Sequence, residues 1–370
     1  MFFDQSAPAK GDVRGVTGPA AQSRSPRTIR LGRAPEPPLE ARFRDSLLLE
    51  DNGDPAQKNL LDKILTLLLK TRTGAELAEE FVKLGATARV GFARIPGSRI
   101  LVEHGKSSVH GTLGRTFTRK KPALVELNIL LLQTKAGRVE VAGVLAHELL
   151  GHVRAASGAE AGSVKGTLDF YDGDELGARL AGWNVALELG RMDPDALDYL
   201  KDPEGYSRSS PTADDSYALL FSRKELSDPV RVLKERLAAV AELRKPFSGW
   251  RETLLRVRLK HPPRPAPSGG KTARREAGIQ EKIEFLEQTV PNYLRTWRKV
   301  AAALRMGIKY FGTPAGKRKL AALRKSAEDP FFAEMDRSVA RLAQRLRANA
   351  GLSPAGGRAQ ASSRQGSVGD

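Results

Sequence analysis

Between Lys58 and Lys70 leucine and isoleucine recur at three- and four-residue intervals, and apolar residues keep that spacing from Ala75 to Leu84. A period near 3.6 predicts two amphipathic helices there. Further on, Ala88 to Ile95, Arg99 to Glu103 and Val109 to Thr118 read as strands, and Ala123 to Leu131 adds another with Val125, Ile129 and partial alternation. An apolar helical stretch surrounds Val144 to Arg154. After a glycine-rich connection at 156–173, Glu175 opens a second helical segment that runs to Leu189. This order predicts an α+β fold, in which a small mixed sheet backs the two later helices.

Beyond residue 228 the pattern is helical. Residues 228–260 hold at least one helix, and Ile283, Leu286, Val290, Leu294 and Trp297 fall at three-to-four spacing, as do Val339, Leu342 and Leu346. A proline- and glycine-rich run at 262–270 marks a linker before them. The first 45 residues are rich in Pro, Gly, Ala, Ser and Arg with almost no periodic apolar content, and the end of the chain has the same character. Both are expected to be disordered. The chain thus divides into a leader at 1–45, an α+β domain at 46–225 and a helical extension at 226–261. A linker at 262–275, a basic helical region at 276–350 and a tail at 351–370 complete it.

Length and composition narrow the picture. With 370 residues and 40% hydrophobic content the chain can build one or two domains with a real core. It has no cysteine, which excludes disulfides, thiolate metal ligands and thiol nucleophiles. No apolar run reaches membrane-spanning length; Leu60 to Leu69 is too short and contains Asp62 and Lys63. Met1-Phe2-Phe3-Asp4 lacks the positive segment and apolar core of a signal peptide. The expected location is cytoplasmic, or another cell reached through a specialised secretion machine.

The chemistry is concentrated in His147-Glu148-Leu149-Leu150-Gly151-His152, where two of the chain's five histidines stand beside an acid on an apolar background. Neutral imidazoles are the usual zinc ligands of a hydrolase, and a carboxylate next to the first can take a proton from the attacking water. The imidazoles are five positions apart, however, not four. Five residues of regular α-helix turn through roughly 500°, leaving the side chains about 140° apart, too far round to share one ion. A one-residue π-bulge would realign them, and Gly151 lies inside the turn concerned. A second reading takes Glu148 and His152, four apart, as the ligand pair, which leaves no base. A third treats all three as half-buried polar residues, a costly arrangement on an apolar helix.

The hexapeptide resembles the zinc motif of the dipeptidyl peptidase III family, zincin-type metallopeptidases that bind zinc through both histidines. That family takes its third ligand from a Glu-Glu-x-Arg-Ala-Glu element, whose nearest counterpart here is Asp174-Glu175-Leu176-Gly177-Ala178-Arg179. The resemblance spans six residues, and the chain is far shorter than those two-lobed enzymes, so endoproteolysis is expected in place of dipeptide release. A looser resemblance is to small bacterial zincin effectors and toxins, whose motif helix continues with a basic residue and a glycine, as Arg154 and Gly158 do here. The leader is also of the kind such effectors carry. Together these imply a zincin-like metallopeptidase domain over 46–225.

A tetrahedral catalytic zinc needs a third protein ligand and an open position. Glu175 is the candidate, with Asp169, Asp172 and Asp174 as substitutes. Asp172 followed by Glu175 is equally a capping-box pattern, in which Glu175 would turn back to its own helix start. With His147, His152 and Glu175 as metal ligands, Glu148 would act as general base and pass its proton to the leaving amine. Tyr171, Tyr206, Tyr217 or His110 would donate to the oxyanion. The region 108–133 would serve as core sheet or as an edge for an extended substrate.

The net charge is +18, and residues 271–370 hold 20 basic against 9 acidic residues. Gly316-Lys317-Arg318-Lys319, with Trp297, Tyr310 and Phe311, would suit nucleic acid, an anionic membrane surface or an acidic protein, although such charge is also common on solvated helix faces. The rival expectation is therefore a nucleic-acid- or partner-binding basic helical protein with a structural or vestigial metal site.

Overall fold

The chain enters its core earlier than its composition suggests. In the computed structural model, which describes residues 36–103, 106–134, 137–162, 164–262 and 271–352, helix α1 (Leu39–Asp45) buries Phe43 edge-on against Phe81, with ring centroids 5.5 Å apart. The leader assigned to 1–45 therefore stops short of Leu39, because one well-packed aromatic anchors α1 to the core. Its first 35 residues, like 353–370 of the tail, lie outside the described residues.

Strand β1 (Leu47–Leu49) leads to α2 (Pro55–Lys70) and α3 (Arg72–Lys83). Asp54 caps α2 by accepting from the Ala56 N–H, and Thr71 ends α2 and caps α3 by accepting from the Gly74 N–H. Leu61, Ile64, Leu65 and Leu68 of α2 and Leu77, Ala78 and Phe81 of α3 form the buried stripe expected from their spacing.

Five strands follow: β2 (Ala88–Ala93), β3 (Arg99–Glu103), β4 (Lys106–His110), β5 (Gly114–Phe117) and β6 (Ala123–Asn128). A four-stranded mixed sheet has the order β1-β2-β6-β5; β1, β2 and β6 are parallel, and β5 runs antiparallel to β6 with Gly114 opposite Leu127. β3 and β4 pair separately. The strand read from Val109 to Thr118 is thus two strands in two sheets. Gly111, at φ +115°, breaks it with a backbone angle that side chains resist. The last strand also ends before Leu131. Asn128 accepts from the Leu130 N–H and turns the chain into a 3-10 segment, Ile129–Gln133.

Helix α4 (Gly137–Leu145) continues through a π-helical stretch, Ala146–Val153, into α5 (Arg154–Ala161). A single turn, α6 (Lys165–Leu168), precedes α7 (Asp172–Glu188), which crosses the π-helical stretch. The remainder is helical: α8 (Pro194–Lys201), α9 (Pro203–Ala213), α10 (Pro229–Arg244), α11 (Trp250–Lys260) and α12 (Lys271–Glu284). A second π-helical stretch, Phe285–Thr289, joins α12 to α13 (Val290–Gly312), and α14 (Pro314–Ser326) and α15 (Pro330–Asn349) close the chain. The fold is α+β, mainly helical with a small mixed sheet.

One apolar core joins the sheet, α2, α3, α4, the motif stretch and α7; a second gathers Phe221, Leu233, Leu304 and Phe332. Leu342 and Leu346 of α15 belong to the first core, and buried Asn184 of α7 donates to the Leu342 carbonyl at 2.9 Å. Residues 276–350 are therefore not a body of their own: α15 buries its apolar stripe in the core of the 46–225 domain. The linker assigned to 262–275 is likewise shorter, since α12 begins at Lys271, and 263–270 lie outside the described residues. Among the described residues no helix is long and apolar enough to cross a membrane.

Candidate metal centre

The five-residue spacing of the histidines is resolved by the backbone. The stretch Ala146–Val153 is π-helical, and at its end the Arg154 N–H reaches the Leu149 carbonyl, five residues back. His147 and His152 consequently face each other, ring centroids 4.9 Å apart and nearly perpendicular. His147, Glu148 and His152 each offer a ligand atom, and these atoms lie within 4.8 Å of one another.

Small residues let α7 press onto this turn. A Cβ added to Gly182 would stand 2.7 Å from the Gly143 carbonyl oxygen and 3.3 Å from the His147 Cβ. The close crossing carries Glu175 over the imidazoles. Its Oε1 is 3.9 Å from His147 Nε2 and its Oε2 is 3.4 Å from His152 Nε2. The capping-box alternative is not realised: Tyr171 occupies the N-cap of α7, without a side-chain cap, and Glu175 turns away from the helix start. Its Oε1 accepts from Arg179 Nε at 2.9 Å and from the Tyr217 hydroxyl at 3.2 Å. Arg179 also donates to the phenolic oxygens of Tyr206 and Tyr217, its guanidinium lying 4.7 Å from the Tyr217 ring centroid.

The three substitute acids separate. Asp174 Oδ2 is 2.9 Å from His152 Nδ1, on the far side of the ring from Glu175. A proton on Nδ1 given to Asp174 leaves the Nε2 lone pair directed at the centre, an arrangement common around metal-binding histidines. Asp169 instead pairs with Arg119 at 3.0 Å. Asp172 interacts with Glu225, Arg236 and Asp336, away from the imidazoles.

Electrostatics sharpens these roles. Burial pushes His147 down to about 4 against the pull of Glu175, so its imidazole is neutral at physiological pH. Burial also works against charge on His152, but Asp174 and Glu175 outweigh it and raise that group well above its ordinary 6.5. Burial alone would raise Glu175; the His152 hydrogen bond and the charges of His147, His152 and Arg179 hold it far below the usual carboxylate range instead. A cation placed between the two Nε2 atoms would meet the same carboxylate that stabilises positive charge on His152. Two imidazoles, one ionised carboxylate and an orienting acid fit a zinc ion.

Glu148 is 6% exposed, and burial raises its proton affinity. Thr116 of β5 donates to its Oε2 at 2.6 Å. Strand β5 can come this close because Gly114 has no side chain: a Cβ there would lie 2.8 Å from Glu148 Cγ. Nothing in the pattern of the chain marked Thr116, an ordinary strand residue. Arg179 did carry a signal, its position four residues after Glu175 on the same helix face.

The residues open on a cavity of about 870 Å³, whose wall includes Tyr217 and the Gly114–Thr116 segment of β5. Of the other donors considered, Tyr171 is excluded. Its hydroxyl goes to Asp336 and its ring packs on Phe332, 4.9 Å between centroids. Tyr206, which like Tyr217 accepts from Arg179, is not on the cavity wall, and the side chain of His110 lies outside the described residues. The two positions of the effector-like pattern serve packing: Arg154 pairs with Glu80 at 2.7 Å, and Gly158 abuts Phe331.

No family model, characterised protein or solved structure matches this chain.

Proposed function

We propose that this chain is a zinc-dependent endopeptidase, with His147, His152 and Glu175 as ligands and Glu148 as general base. The observation that carries this reading is the π-helical turn that brings two imidazoles, five residues apart, together beneath the Glu175 carboxylate and beside buried Glu148. Zinc, when bound, would supply Lewis acidity towards the scissile carbonyl and acidify the attacking water.

The chain's own groups perform the remaining work. Glu148 takes a proton from that water and returns it to the leaving amine. Its raised proton affinity suits a group that must hold a proton between the two events, and the Thr116 hydroxyl fixes one of its oxygens. Neutral His147 presents a lone pair, and Asp174 keeps the His152 ring from rotating. Tyr217, on the cavity wall, would turn the hydroxyl hydrogen that it gives to Glu175 in this structure towards the charge that develops on the carbonyl oxygen. Strand β5 is the last strand of its sheet and borders the cavity, so an extended polypeptide can pair with its outer edge and run past the centre in both directions.

The test is metal analysis of the purified wild type and of Glu148→Gln, paired with proteome-wide detection of new peptide termini. One zinc per chain in both proteins, with cleavage only by the wild type, is the expected result. Cleavage surviving Glu148→Gln, or a wild type that retains no stoichiometric zinc, overturns the proposal.

A further inference from the structure

From Ala241 to Pro262 no residue is buried. This stretch spans the end of α10, the 3-10 turn Lys245–Phe247 and the whole of α11. One side of it packs. Trp250, Thr253, Leu254 and Val257 of α11 are half-buried, and Phe247 meets Trp297 at 5.7 Å and Phe285 at 6.4 Å between centroids.

A second apolar pair on α11 has no such use. Leu255 and Leu259, one helical turn apart, are 61% and 82% exposed, and Leu243 before them is 41% exposed. At about 100° per residue, Leu255 and Leu259 fall opposite the packed stripe. A helix that only had to cover a core would need one apolar stripe, and α11 carries two. The outer pair is bordered by cations, Arg251 and Arg258 on one side and Arg256 and Lys260 on the other. Between 241 and 262, six Lys and Arg residues stand against two acids; Glu242 pairs with Lys245 at 2.6 Å and Glu252 with Arg256 at 3.9 Å, while Arg258 is held by Glu287 of the π-helical stretch before α13.

We propose that this outer face of α11 docks onto an anionic lipid bilayer, with Leu255 and Leu259 entering among the headgroups while Arg251, Arg256 and Lys260 reach lipid phosphates. A bilayer surface satisfies both features at once, since apolar side chains find the acyl boundary and long basic side chains reach back to the headgroups. Nucleic acid would use the cations and leave the leucines in water. An uncharged apolar partner would cover the leucines and offer nothing to Arg251 and Lys260. With eleven residues, α11 is about 16 Å long, so it lies in the plane of the interface. The proposal is independent of the peptidase reading.

The test is co-sedimentation of the full chain with vesicles of phosphatidylcholine alone and with vesicles that also contain phosphatidylserine. Binding is expected only to the anionic vesicles, and it weakens as salt rises. Both Leu255→Glu with Leu259→Glu and Arg251→Glu with Arg256→Glu lower it by about tenfold or more. All four side chains are exposed, so the melting temperature stays at the wild-type value; should the glutamate pair melt early, Leu255→Gln with Leu259→Gln takes its place. Equal binding to the two vesicle types, or a leucine double variant that binds like the wild type, overturns the proposal. So does retention on duplex DNA that only the arginine variant loses, which would assign the face to nucleic acid.

Discussion

A Cβ added to Gly151 would lie 2.4 Å from the Cβ of Ala178 and 2.6 Å from its Cα, so the motif turn and α7 meet backbone to backbone. No side chain can swing aside at such a contact. Gly151→Ala must push α7 away, and Glu175 with it. The expected cost is roughly 1–3 kcal/mol of stability, and zinc content falls below one per chain. Thermal unfolding and metal analysis check this, with Gly177→Ala as control. On that same helix a Cβ at Gly177 meets only Val339, at 3.4 Å, and a helical Gly-to-Ala change there is expected to be neutral or slightly stabilising.

Asp174 and Glu175 are neighbours with different work in the proposed centre, orienting His152 and ligating the metal, and zinc affinity should separate them. Asp174→Asn loosens the orientation of His152 and is expected to weaken zinc binding by about 10–100-fold. Glu175→Gln removes a ligand and costs more, leaving substoichiometric metal after dialysis. Competition with a chromophoric chelator measures both. The opposite order would make Asp174 the ligand and Glu175 the supporting residue.

Tyr217→Phe deletes the hydroxyl on the cavity wall and leaves the ring that stacks on Arg179. Zinc content and melting temperature should stay near wild type while kcat falls by about 100-fold. Tyr206→Phe, which touches only Arg179 in this cluster, should change kcat by less than about tenfold. Equal effects of the two on turnover would point to a structural role for both tyrosines.

Asp172 makes stability depend on pH. Burial, reinforced by Glu225 and opposed by Arg236, pushes its carboxyl from an ordinary 3.8 up to about 7. Across that interval the folded chain keeps a proton that the unfolded chain has released. The stability this group contributes is complete below 3.8 and is lost as pH rises through about 7, at up to about 1.4 kcal/mol for each pH unit traversed. Asp172→Asn should flatten the pH dependence of the melting temperature between pH 4 and 7 and melt above the wild type at pH 8. Parallel curves for the two proteins would show Asp172 ionised throughout.

The helices α2 and α3 were legible because each buries one stripe and repeats it for several turns, and α7 because its apolar content continues for seventeen residues, although it is buried all round from Leu180 to Ala186. The break at Gly111 was not, since a single glycine within an apolar run does not reveal its backbone angle. Phe43 was hidden in a Pro- and Arg-rich neighbourhood, where one aromatic leaves no periodic trace. The spacing of His147 and His152 foretold the π-helical turn, because no regular helix lets positions five apart share a face.

Residue type and periodicity sufficed for the α+β class, the motif helix, and the residues with which a metal centre could be built. They express local rules: how side chains repeat along a helix or strand, and which groups bind a cation. Local rules left Glu175 divided between cap and centre, and gave no order among Asp169, Asp172 and Asp174. Packing made those choices. The glycine contacts of α7 fix how deeply it sits on the motif, that depth brings Glu175 to 3.4 and 3.9 Å from the imidazole nitrogens, and Gly114 admits Thr116 to Glu148. Distances between segments remote along the chain depend on the shape of everything between them, which no local pattern contains.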